Sequence, residues 1–161
     1  MSSVWPFRSS PRPPSITDFL HWDLNGGGFA LLFRALPSLL RPDSFLGLAE
    51  GVWSSEIVEF LTRHALQVDA STAQTLPREF RDAVFLPVTE PVTAGLAALA
   101  DRHAAPEIAL HLVAGHEAQV LLEWYDAPDS PLALTGKLEE ASVARFAAAI
   151  GATYRRAEPG V

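Results

Sequence analysis

The feature that most constrains this chain is a run of three short apolar segments with no helix between them: Ile108 to Val113, Gln119 to Asp126 and Leu132 to Thr135. A tight connection around Gly115 and His116 joins the first two, and the turn Ala127 to Ser130 leads into the third. Strands joined this closely lie antiparallel, because a parallel return needs a crossover of about a dozen residues or more. The three segments therefore form an antiparallel meander, to which the strand-helix-strand segments before it could add parallel neighbours. A doubly wound nucleotide-binding fold, which puts a helix between successive strands, is disfavoured.

Helical periodicity surrounds the meander. Ser54 or Ser55 caps a helix whose Ile57, Phe60, Leu61 and Ala65 share one face, with Glu56, Glu59 and Arg63 on the wet side. Thr89 and Pro91 open an Ala-rich helix to about Ala104, and Glu139 or Glu140 starts a last helix with the stripe Val143, Phe146, Ala147 and Ile150, stopped by Gly151. Phe29 to Leu40 reads as a buried helix shortened or kinked by Pro37. Ile16 to Leu24 reads as a first helix capped by Ser15 or Thr17 and broken by Gly26, Gly27 and Gly28. Phe45 to Ala49 and Ala83 to Pro87 are further strands, and Gln67 to Arg81 is a polar connection with a helical turn near Pro77 to Arg81. The spacing predicts an α+β single-domain sandwich: a mixed, mainly antiparallel sheet of about five strands with helices packed mainly on one face. Residues 1–14 form a flexible tail, 15–156 the domain and 157–161 a flexible C-terminus.

The chain also echoes itself. Pro42 to Ala65 aligns without a gap on Pro128 to Gly151, an offset of 86 residues, with identities at Pro42/Pro128, Asp43/Asp129, Ser44/Ser130, Leu46/Leu132, Leu48/Leu134 and Phe60/Phe146. Composition alone would match roughly 7–8% of positions, about two in such a window. A duplication and two independent solutions to one turn-strand-helix problem both predict the same local structure. The polar positions diverge, with Glu50 against Gly136 and His64 against Ile150, so the repeated part is scaffold.

Composition narrows the function. At 161 residues and 48% hydrophobic the chain can bury one sizeable core. A net charge of −7 argues against a grip on nucleic acid and for a basic partner. The absence of cysteine removes disulfides, thiolate metal sites and thiol catalysis, and is compatible with a cytoplasmic setting. The opening residues lack the apolar run of a secretory signal, and Phe29 to Leu40 is too short and too interrupted for a membrane span.

The densest polar cluster is Glu123, Asp126 and Asp129 beside Trp124 and Tyr125, with His111 on the neighbouring strand. Strict alternation sets Val120, Leu122 and Trp124 on one face and Leu121, Glu123 and Tyr125 on the other. His111 with Glu123 or Asp126 is a candidate acid/base pair. The preferred reading is plainer: polar residues on a sheet face partly open to water. His111 and His116 with Glu117 or Asp126 have no metal-specific spacing, so no metal and no cofactor is expected. No Gly-x-Ser-x-Gly elbow is present, and the serines sit at turns and helix starts. The glycine run lacks the lysine of a phosphate loop and follows no clear strand, which favours a joint. His21, Trp22 and Asp23 form a trio that a surface helix packing its tryptophan explains. Trp53 reads as a staple at a helix entry.

In size, acidity and lack of a catalytic signature the chain resembles, in a general way, bacterial toxin-neutralising immunity proteins; no motif carries that resemblance, so it implies no sites. The leading expectation is a non-enzymatic protein-binding module of inhibitor or immunity type. Its acidic residues Glu117, Glu123, Asp126 and Asp129, with Tyr125, would steer a basic protein partner. The alternatives are a small enzyme using His111, Glu123 and Asp126, and a homo-oligomer pairing through Phe29 to Leu40 or an open strand.

Overall fold

The structure is a computed structural model that describes residues 13–159. Most of the tail expected over 1–14 therefore lies outside the described residues, as do 160 and 161. The meander is present at the centre of a larger sheet. Seven strands, β1 (His21–Gly26), β2 (Phe45–Ala49), β3 (Val84–Pro87), β4 (His111–His116), β5 (Gln119–Trp124), β6 (Leu132–Thr135) and β7 (Ala152–Ala157), lie in the order β3-β2-β4-β5-β6-β1-β7. Among the described residues every pairing is antiparallel and the strands number seven, so the fold is α+β but neither five-stranded nor mixed.

The reason lies in the crossovers. Helix α1 (Phe29–Leu39) joins β1 to β2, α4 (Glu90–Arg102) joins β3 to β4, and α6 (Glu140–Ile150) joins β6 to β7. Each of these strand pairs runs in one direction, as a crossover helix requires, yet other strands separate its two members. Parallel connections therefore exist without parallel neighbours. The echo resolves into β2 followed by α2 (Ser55–His64) and β6 followed by α6, equivalent locally but set differently: the chain returns from α2 to β3 beside β2, and from α6 to β7 beyond β1.

The two strands that periodicity did not reveal are β1 and β7. Ile16, Phe19 and Leu20 fall at helical spacing, but Ser15 caps only a single 3-10 turn, Ile16–Asp18, in which the Asp18 carboxylate accepts the Ser15 backbone N–H at 2.8 Å. Phe19 is already extended. From His21 the side chains alternate, Trp22 and Leu24 into the core and His21 and Asp23 to the other face. The glycine run is thus a strand-to-helix joint. Gly27 has φ +84°, and a Cβ there would lie 2.8 Å from the Ile150 carbonyl oxygen, so close packing on the end of α6 explains it.

The helices named so far cover one face. α1 packs between α4 and α6 and buries Leu32, Phe33 and Leu36 completely. Most apolar side chains of the stretch that offered itself for self-pairing are therefore in the core, with Leu31 left exposed. Beneath lie Trp22, Leu24, Leu46, Leu48, Leu86, Leu112, Leu122, Trp124, Leu132 and Leu134, one side of the sheet. Ser54 caps α2 through the Ile57 N–H, Pro91 opens α4, and Gly151 closes α6 in the left-handed region at φ 71°. Trp53 packs on the main core just before α2, as expected, and its indole N–H donates to the Ile108 carbonyl at 2.8 Å. That contact requires Gly51, where a Cβ would lie 2.0 Å from Trp53 Nε1. The strand expected from Ile108 starts only at His111, because Pro106 and Glu107 build a short helix, α5 (Ala105–Ile108). The polar connection holds α3 (Ala70–Thr75) and a 3-10 turn, Arg78–Phe80.

Candidate functional site

The polar candidates lie on the second face of the sheet, opposite the main helix layer. A bulge decides which side chains reach it. Gly115 pairs with Val120 and Ala114 with Leu122, leaving Leu121 as an extra residue in β5. Val120 consequently joins Tyr125 against the smaller core of this face, while Leu121 packs on the main core. This corrects the strict alternation expected for β5.

Two coverings protect the face. Leu76 and Phe80, from the connection between α2 and β3, pack on Phe45, Ala49 and Val113. A strap, Pro13 to Leu20, carries the first 3-10 turn over β5 and β6. Between strap and α3 a groove of about 940 Å³ remains, walled by Ile16, Phe19 and Leu20, by Gln74 and Thr75, and by Ala118 to Val120. Glu123, Thr135 and Lys137, the single lysine of the chain, complete it. Phe19 is 60% exposed and Leu20 37%, large apolar side chains left at the rim.

Glu123 anchors the strap. Its carboxylate is 1% exposed and accepts the Ser15 hydroxyl at 2.5 Å and the Ile16 N–H at 3.2 Å. Burial holds its proton affinity above the ordinary carboxylate value, partly offset by those bonds from Ser15 and Ile16. A second anchor is His21, whose Nδ1 lies 2.8 Å from the Phe19 carbonyl while Nε2 lies 3.1 Å from Asp23. Asp23 also takes Arg155 at 3.3 Å, so the expected trio is a sheet-face network with Trp22 turned away into the core.

His111 is engaged elsewhere. Its Nδ1 accepts the Asp126 backbone N–H at 3.1 Å, and its Nε2 faces the Glu50 carboxylate at 3.1 Å. Both ring nitrogens are occupied, and the register pairs Glu123 with Val113 across the hairpin. The structure thus forms no hydrogen-bonded His111–Glu123 pair, and Asp126 contributes its main chain, not its carboxylate, to His111. Tyr125 packs on His111 and Phe80, with ring centroids 5.6 and 5.8 Å away, and burial, followed by the charges of Glu123 and Glu79, raises the phenol above its usual range.

The expected acidic patch is not one patch. Glu117 lies in the β4–β5 turn, whereas Asp126 and Asp129 follow the other end of β5, about 20 Å away for a strand of six residues. Glu123 is buried between them. Carboxylates that pattern-reading passed over gather at the His111 end instead: Glu50, Glu79 and Asp82, with Arg78, line a recess of about 330 Å³. The strap was also missed. Its one signal was Ser15 and Asp18 at capping-box spacing, followed by the two bulky apolar residues Phe19 and Leu20.

Among the described residues no group of three His, Cys, Asp or Glu side chains could hold a metal ion, and no helix is long and apolar enough to cross a membrane. The chain matches no family model, no curated protein and no solved structure.

Proposed function

We propose that this protein is a non-enzymatic protein-binding module of the acidic inhibitor or immunity type, engaging its partner through the strap groove on the second face of the sheet. One observation carries the reading: Phe19 and Leu20 stand exposed at the rim of a groove already lined by Ile16 and Val120. Scattered exposed apolar residues are ordinary, but large ones converging on a concave apolar surface mark an interaction site. The occupied nitrogens of His111 and the commitment of Glu123 to the strap support binding over acid/base catalysis. The charge of −7 favours a basic partner, with association that slows as salt rises.

The test compares the intact chain with Phe19→Asp as bait in extract of the native host. A partner retained by the wild type, lost by Phe19→Asp and released by added salt supports the proposal. Identical retention by both baits, or no specific retention, overturns it.

A further inference from the structure

Three recesses lie in series along the second face. The groove shares Pro13 and Ser15 with a recess of about 250 Å³ that also touches Tyr125, and that recess shares Glu79 with the acidic one. The series follows the seam between the strap and the connection Gln74 to Asp82, from Val120 in β5 to Tyr125 just past its end, and its two ends differ in chemistry. At the β4–β5 turn end the walls are Ile16, Phe19, Leu20 and Val120. At the other end Glu50, Glu79 and Asp82 outnumber Arg78.

From this polarity we infer that the occupant is an extended segment of a partner protein, with one or two large apolar side chains in the groove and an arginine or lysine about five or six residues away at Glu79. The spacing is that of an extended chain laid along a six-residue strand. The sign follows from charge complementarity: Glu50 is already met by His111, but an acidic or neutral far end would leave the carboxylates of Glu79 and Asp82 unanswered or opposed. The inference rests on the groove being the binding surface and adds the direction and chemistry of what it binds.

A random twelve-residue peptide display library selected on the full chain tests it. The expected enrichment is for apolar residues followed or preceded, at that spacing, by a basic one. A Glu79→Gln/Asp82→Asn variant should lower binding of a selected peptide about tenfold in low salt and remove the basic preference while keeping the apolar one. Phe19→Asp should abolish enrichment altogether. Enriched peptides that depend on Phe19 but lack a basic residue overturn this inference and leave the groove reading standing. No enrichment, or enrichment indifferent to Phe19→Asp, overturns both. A concentration-dependent dimer in sedimentation that Phe19→Asp abolishes would assign the groove to a second copy of the chain and likewise overturn the inference.

Discussion

The bond between Ser15 and Glu123 decides whether the buried carboxylate is a strap anchor, and a double-mutant cycle measures it. Ser15→Ala removes the hydroxyl that Glu123 accepts at 2.5 Å; Glu123→Gln keeps the side-chain volume and one acceptor while removing the charge. Ser15 is 7% exposed and Glu123 1%, so water does not replace the lost partner while the strap stays docked. A hydrogen bond to a buried charged group contributes about 1.5–3 kcal/mol, and a neutral one about 0.5–1.5. Ser15→Ala therefore costs about 2 kcal/mol, with a further cost of up to about 1 kcal/mol because Ser15 also caps the 3-10 turn. The capping part cancels in the cycle, leaving a coupling of about 1–1.5 kcal/mol. Urea unfolding of the four proteins at neutral pH gives the coupling, and amide exchange at Ile16 reports local release of the strap. Coupling below about 0.3 kcal/mol together with unchanged Ile16 exchange refutes the anchor.

Burial raises the proton affinity of Glu123 in the fold, so its contribution to stability is present below the ordinary value of 4.5 and is lost as pH rises through the folded value. Urea unfolding across that range should show wild type losing ground to Glu123→Gln as pH rises; parallel profiles would contradict this. Gly27→Ala forces a side chain onto φ +84° and against the Ile150 carbonyl, and should cost at least about 1–2 kcal/mol by thermal or chemical melting. A neutral effect there would mean the joint is slack. Leu36→Ala, at the completely buried centre of the helix layer, should cost about 2–5 kcal/mol, and a smaller loss would mean that the layer closes over the cavity.

How much of this was legible in the sequence depended on burial. Segments that bury a full face announced themselves: the meander, the stripe of α6 and the capped α2 follow from core spacing and end signals. β1 was hidden because Ile16, Phe19 and Leu20 imitate a helical face while the true alternation, His21 to Leu24, spans only four residues. β7 lies at the edge of the sheet, and its alternation of half-buried and exposed residues gives little hydrophobic signal. The bulge at Leu121 cannot be seen in a strand of apolar residues, since Val120, Leu121 and Leu122 fit either face. The candidate residues were found one by one, but not their grouping. His111 meets Glu50, Glu123 meets Ser15, and the groove takes its walls from the strap, α3 and the hairpin, contacts that depend on which strands become neighbours.

The claim that the second face is the working surface and the helix layer its support is tested most directly by amide hydrogen exchange of the protein with its captured partner bound. Protection should concentrate in Ser15 to Leu20, Gln74 to Phe80 and Gln119 to Tyr125, with α1, α4 and α6 unchanged. Protection confined to the outer surfaces of those helices, with the strap exchanging as in the free protein, would contradict it.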